Sequence, residues 1–180
     1  MCDHHQAKGV TLWFTGLPCS GKSAVADRVA EILQNGGYRA ERLDGDIVRQ
    51  DLTRDLGFSK EDRDENIRRV TFVAKLLTRN GVIVLTSFIS PYKAMREHAR
   101  KEIASFMEIY VDTPLEVCMQ RDVKGMYKKA IAGQIKEFTG ISDPYEIPEK
   151  PEMILECGHE TLEESVRKVI QKLKDSGFVS

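Results

Sequence analysis

The sequence predicts a three-layer α/β/α fold with a parallel sheet, and three observations carry that prediction. The run Val10-Thr11-Leu12-Trp13-Phe14-Thr15 is β-branched and aromatic, the composition of a buried strand. A helical stripe of Val25, Val29, Ile32 and Leu33 follows it, with Asp27, Arg28 and Glu31 off the stripe. Strand-like and helix-like segments then keep alternating, the rhythm that gives right-handed crossovers and a parallel sheet.

Between the first strand and the first helix stands Gly16-Leu17-Pro18-Cys19-Ser20-Gly21-Lys22-Ser23, which fits the phosphate-cradling pattern G-x-x-x-x-G-K-[ST] of P-loop proteins. The glycines let several backbone N–H groups converge on one anion, and the positive end of the following helix adds to their field. Lys22 is expected to reach the β- and γ-phosphates of a nucleotide, and the Ser23 hydroxyl to take a place on Mg2+. Cys19 reads as a small loop filler, although a helix N-terminus is also a place where a thiol pKa falls.

The first helix should stop at Asn35-Gly36-Gly37. A second strand, about Arg39 to Leu43, ends in Asp44-Gly45-Asp46, which puts two carboxylates at the edge where open α/β sheets bind ligands. An aspartate here accepts the proton of an attacking hydroxyl, holds Mg2+ through water, or simply caps the short helical stretch Ile47 to Leu52; Asp46 is assigned the chemical role. Ser59 caps the next helix, which runs to about Thr78 with Ile67, Val70, Val73, Ala74 and Leu77 as its buried stripe. Stepping back along that stripe reaches Arg63 and Asn66, so the core face turns polar at its amino end and is read as lining a cleft. Phe58, just before them, offers a face for a base to stack on, while Arg68 and Arg69 read as surface charges or ion-pair members.

A third strand, Val82 to Thr86, leads into Ser87-Phe88-Ile89-Ser90-Pro91-Tyr92. Ser90 before Pro91 reads as an N-cap followed by proline at the first helical position; the alternative is a serine that carries a phosphate. A helix to about Ala104, a strand from Phe106 to Val111 and a helix after Pro114 continue the alternation. Residues 122–148, basic at first and then rich in turn formers, read as a mobile flap whose cations close over phosphates, with Lys128, Lys129 and Lys136 as solvated charges. A last strand, Met153 to Glu156, precedes a helix with a Thr161/Glu164 capping box and a stripe of Leu162, Val166, Val169, Ile170 and Leu173.

With 180 residues the chain is read as one domain, 1–180. A net charge of −1 exerts no general pull on nucleic acid. No run approaches the roughly 18 apolar residues of a membrane span, and the first residues lack the apolar centre of a signal peptide. The expectation is a soluble cytoplasmic protein without nucleic-acid or membrane partners. Cys2, Cys19, Cys118 and Cys157 lack C-x-x-C spacing, which argues for reduced thiols rather than a zinc site or disulfides, and Cys2, His4 and His5 read as a frayed terminus. These readings end at phosphoryl transfer to a small hydroxyl substrate with an aromatic ring and anionic groups. A nucleoside-monophosphate-type kinase with another acceptor, and a non-catalytic P-loop switch, stay open; the absence of an N-K-x-D segment disfavours the switch.

Taken together, GLPCSGKS, LDGDIVR, GFSKEDRDENIRR, SFISPY, KGMYKKA and EFTGISDPYEIP, in that order over nearly the whole chain, resemble the adenylylsulfate (APS) kinases of sulfate assimilation. That resemblance implies a P-loop kinase of the nucleoside-monophosphate-kinase type, typically a homodimer, which transfers the γ-phosphoryl of MgATP to the 3′-hydroxyl of adenylyl sulfate. It implies that residues Gly16 to Ser23 hold ATP, with Arg121 packed near its base. It places Asp44 and Asp46 beside the reacting hydroxyl, Asp46 as base and Mg2+-linked group, and matches Lys124 to the segment that closes over substrate; with Lys22 of the P-loop, Lys124 is read as a catalytic cation. Arg49, Phe58, Arg63 and Asn66 match residues that hold adenylyl sulfate. Ile89 and Ser90 match the position of a phosphoserine in some members. Phe138, Thr139, Gly140 and Ile141 match the closing segment, Phe138 being the second wall of an adenine sandwich begun by Phe58.

Overall fold

The structure, a computed structural model, describes residues 8–180; Cys2, His4 and His5 lie outside the described residues. Strands β1 (Val10–Thr15), β2 (Ala40–Asp44), β3 (Ile83–Ser87), β4 (Phe106–Val111) and β5 (Met153–Leu155) form one sheet in the order β2-β3-β1-β4-β5. Every pairing is parallel, as the alternating pattern predicts. Helices α1 (Lys22–Asn35), α2 (Gly45–Val48), α3 (Lys60–Arg79), α4 (Lys93–Glu102), α5 (Leu115–Arg121), α6 (Met126–Ile131) and α7 (Leu162–Asp175) complete the described chain.

Alternation along β1 splits the core into two layers. Val10, Leu12 and Phe14 pack with Val25, Val29 and Leu33 of α1 and with Val166, Val169 and Leu173 of α7. Trp13 faces the other way, into Ile67, Val70 and Ala74 of α3 and Met95, Ala99 and Ile103 of α4. A strand buried on both faces needs such a partner on each, which is why β1 reads as an unbroken apolar run. The α3 stripe is rotated slightly from its expected position: Val73 and Leu77 are only half-buried, while Thr71 and Thr78 are buried instead. Thr78 earns its place by bonding the Thr11 hydroxyl at 2.7 Å. The Thr161/Glu164 capping box forms as expected, and Leu162 stays exposed outside the α7 stripe.

Two readings change. Ser90 does not cap α4, which begins at Lys93 with Tyr92 in the N-cap position. Its backbone sits at φ +39°, and its hydroxyl turns into the sheet, accepting from Trp13 Nε1 at 3.1 Å and donating to Thr15 Oγ1 at 3.0 Å. Residues 122–148 carry a small core of their own rather than lying apart from one: Tyr127, Ala130 and Phe138 pack with Cys118 of α5. Lys128, Lys129 and Lys136 remain exposed around it, as read.

The far end of that segment is stitched to the sheet by Arg96, which is 2 % exposed. Its guanidinium donates to Glu108 Oε1 at 2.7 Å, to the Ser90 carbonyl at 2.6 Å and to the Glu146 carbonyl at 2.5 Å. Removing one member of a buried ion pair strands the other. Arg96→Met is therefore expected to lower unfolding free energy by about 3 kcal/mol, and R96M/E108L to recover only the part due to the stranded carboxylate, since the Ser90 and Glu146 carbonyls still lack their donor, as read from urea midpoints.

Candidate active site

All four crossovers of the parallel sheet deliver loops to one edge, and the candidate residues collect there. At the end of β1 the chain turns at Gly16, with φ +151°, where a Cβ would stand 2.6 Å from the Val111 carbonyl oxygen. Only glycine lets the loop pass that close to β4. The rim of the loop is clamped from outside: Thr113 Oγ1 donates to the Ser20 carbonyl at 2.8 Å, and Arg121 donates to the carbonyls of Ser20 at 3.1 Å and Cys157 at 2.6 Å. Arg121 thus braces the P-loop. Cys19, at φ +60°, packs at the margin of the Cys118 cluster, the filler role expected of it.

Lys22 is buried, and its ammonium donates to the carbonyls of Gly16 at 2.9 Å and Leu17 at 2.6 Å. Burial pulls its pKa down to about 8 despite the nearby thiols and Asp44. Ser23 Oγ donates to Asp44 Oδ2 at 2.8 Å, as does Ser87 Oγ at 2.8 Å, while the Asp46 amide donates to Asp44 Oδ1 at 2.9 Å. Arg42 of β2 reaches Asp44 and also donates to Ser87 Oγ at 3.0 Å. Burial works to raise the Asp44 pKa, but the donors Ser87, Ser23 and Asp46 N–H, with the Arg42 charge, outweigh it and hold the carboxyl below its usual range.

The sequence reading assigned the Mg2+ link to Ser23 and Asp46; in the structure the carboxylate that Ser23 bonds is Asp44. Asp44 is the last residue of β2, in register with Ser87, and its side chain caps α2. Asp46 lies in the first turn of α2, exposed, and pairs with Lys124 from the turn between α5 and α6. Ser23, Asp44 and Asp46 offer the hard oxygen donors that Mg2+ prefers. Among the described residues no three His, Cys, Asp or Glu side chains cluster as a metal cage. Sparse protein ligation of this kind suits an ion held largely by phosphates and water.

Before α3, Arg49 stacks over the Phe58 ring at 4.4 Å and donates to the Gly57 carbonyl at 2.9 Å. Burial, and then the neighbouring Arg63 charge, pull Arg49 below its ordinary value, so two cations lie close here. Phe58 is 64 % exposed. Phe138 is only 9 % exposed and packs edge-on to Tyr127 at 5.0 Å, whose hydroxyl donates to the Pro18 carbonyl at 3.0 Å. Gly140, at φ +89°, passes so near the P-loop that a Cβ would stand 3.0 Å from Leu17 Cδ2. Asn66 is buried, and its Oδ1 has no hydrogen-bond partner. Ile89 is half-buried, its carbonyl accepting from Thr15 Oγ1 at 2.7 Å; Thr139 is buried and Ile141 exposed. Ser90 has neither histidine nor lysine among its hydrogen-bond partners, so no base activates it as a nucleophile. Arg42, Ser87, Tyr92 and Asp143 were missed by the sequence reading. Ser87 stood inside the SFISPY run, but nothing in the periodicity marks Arg42.

Phosphate oxygens beside Lys22 would restore its proton, so nucleotide binding above pH 8 should take up a proton and weaken as pH rises further. Below pH 8 the lysine is already charged and contributes no linked proton. Calorimetry with ATP at pH 9 in two buffers of different ionisation enthalpy is expected to show proton uptake that Lys22→Met removes. Equal enthalpies in both buffers would contradict it.

A family model described as adenylylsulphate kinase matches residues 8–156. The adenylyl-sulfate kinase of Halothermothrix orenii is 61 % identical over 173 residues, covering 96 % of this chain and 94 % of the relative. The structure of the Mycobacterium tuberculosis APS kinase CysC in complex with AMPPNP and APS superposes with a TM-score of 0.89 at 46 % identity, over 93 % of this chain and 98 % of that one. A hexameric APS kinase from Thiobacillus denitrificans superposes with a TM-score of 0.75 at 34 % identity, over 97 % of this chain and 30 % of that one. With that family model spanning most of the chain and a relative 61 % identical over nearly all of it, the chain belongs to the adenylylsulphate kinase family.

Proposed function

We infer that the chain is an ATP-dependent adenylyl-sulfate kinase, phosphorylating the 3′-hydroxyl of adenylyl sulfate to give 3′-phosphoadenylyl sulfate and ADP. The observation that carries this reading is the Asp44-Gly45-Asp46 corner. Asp44 meets the donor side through Ser23, and Asp46, two residues on, meets Lys124 from the segment over the site.

In the mechanism we propose, the P-loop amides of residues 16–23 and the Lys22 ammonium hold the β- and γ-phosphates, with Arg121 securing the loop beside the base. Ser23, with Asp44 and Asp46, would hold Mg2+, which when bound neutralises charge on the β- and γ-phosphates. Adenylyl sulfate lies against Phe58 and Phe138, with Arg49 for its anionic groups, helped by the one N–H that Arg63 leaves uncommitted, Asn66 Oδ1 for a donor, and Ile89 to Ser90 and Thr139 to Ile141 as walls. Asp46 takes the proton of the 3′-hydroxyl as its oxygen bonds to the γ-phosphorus and the bond from that phosphorus to the β-bridging oxygen breaks, leaving ADP. Lys124 exchanges Asp46 for the transferring phosphoryl group, adding charge where it develops. The working unit is the single domain of residues 1–180, with 122–148 closing over the site, assembled as a homodimer in the cytoplasm. No helix among the described residues is long and apolar enough to cross a membrane.

ADP release with adenylyl sulfate as acceptor tests the activity; equal binding of AMP and adenylyl sulfate would overturn the choice of acceptor. Lys22→Ala should lower kcat by about three orders of magnitude or more with the fold intact, since its charge acts on the transferring group. Ser90→Ala is expected to retain turnover, because that hydroxyl is engaged with Trp13 and Thr15. Loss of turnover with folding and binding intact would instead require a phosphoserine intermediate.

A further inference from the structure

Arg63 is poorly placed to act as an anion receptor alone. A guanidinium has five N–H donors. Nε donates to the Phe58 carbonyl at 2.8 Å. Nη1 donates to Thr139 Oγ1 at 2.8 Å and to Asp143 Oδ2 at 3.2 Å, and Nη2 donates to the Glu137 carbonyl. Four donors are thus committed to protein, on two segments that carry the two aromatic walls: Phe58 itself, and residues 137–143 around Phe138.

Asp143 holds that arrangement. Its Oδ1 and Oδ2 accept from the Tyr92 hydroxyl at 2.9 and 3.1 Å, and Lys60 lies 5.4 Å from the centre of the Tyr92 ring. The carboxylate therefore has one fixed neighbour on the α4 side and offers its other contact to Arg63. Its backbone is bound to Phe138: the amides of Ile141, Ser142 and Asp143 all donate to the Phe138 carbonyl, at 3.0, 3.0 and 3.1 Å. A shift of Asp143 moves Phe138, and through Arg63 it changes the spacing to Phe58.

We propose that Asp143, held by the Tyr92 hydroxyl, is a specificity-determining positioning residue that fixes the Arg63 guanidinium as a cross-brace between the Phe58 and Phe138 walls. The brace sets the width of the slot for a planar base and so governs the acceptor rather than ATP. It rests on the reading that these two rings bracket the acceptor base. One charged group spanning four partners also explains why a lysine, with a compact head on a flexible stem, would not replace Arg63.

The test measures KM for adenylyl sulfate and for ATP in Asp143→Asn, Tyr92→Phe and Arg63→Lys, with thermal midpoints alongside. Loss of a charged hydrogen bond that positions a wall should raise the acceptor KM about tenfold or more, leaving the ATP KM within about twofold. Arg63→Lys, which keeps the charge but loses the span, should match or exceed Asp143→Asn. Tyr92→Phe, which removes only one hydroxyl, keeps the test open if Asp143→Asn folds poorly. Acceptor and ATP KM rising together, or an Arg63→Lys enzyme with a wild-type acceptor KM, would overturn the proposal. Wild-type protein that does not turn over adenylyl sulfate would defeat the functional reading and this proposal with it. Wild-type turnover with unchanged acceptor KM in all three variants would overturn the proposal alone.

Discussion

The carboxylate of Asp44 is the contact on which the site depends. One oxygen receives Ser23 from the P-loop helix, Ser87 from β3 and Arg42 from its own strand; the other caps α2 through the Asp46 amide. A carboxylate with this many donors stays ionised, because each favours the charged form over the neutral acid. Two strand ends and two helix starts are thereby referred to one group. Parallel register makes this possible: Asp44 stands opposite Ser87, and Ser87 opposite Phe14, at the last residues before the loops.

Beyond that hub, the segment over the site is tied down at three places rather than left to swing from its ends. Tyr127 reaches the P-loop through the Pro18 carbonyl, Arg63 binds the 137–143 turn to the Phe58 loop, and Arg96 fixes Glu146 against the sheet. Arg96 and Glu108 are buried and mutually paired, with Arg100 and Glu152 extending the network toward the surface. Such groups are costly to bury singly and tolerable only when each is satisfied. They give the segment a defined seat while leaving Lys124 and Phe58 exposed.

Charge is distributed with the same economy. Lys22 is desolvated and leans on loop carbonyls, so an anionic ligand meets a cation that gains by its arrival. Asp46 and Lys124 neutralise one another in the open, where exchanging one partner for another costs little. The buried charges set geometry, and the exposed ones are placed to change partners.

The sequence by itself determined the fold class, because strand and helix periods and the P-loop spacing are local properties. Val10 to Thr15 had to be buried on both faces, and the Thr161/Glu164 box had to start a helix. It also marked most of the candidate site, since Lys22, Ser23, Asp44, Asp46 and Phe58 lie at or beside strand ends and helix starts, and Asn66 continues the α3 stripe. What only the tertiary structure decided was which partner each of these meets. Asp44 is the carboxylate that receives Ser23, because β-register sets it level with Ser87. Ser90 turns inward to Trp13 and Thr15 rather than capping α4, because a polar group over a buried sheet needs partners there. Arg63 spends its donors across 76 residues of chain to reach Thr139, a pairing that no local pattern encodes.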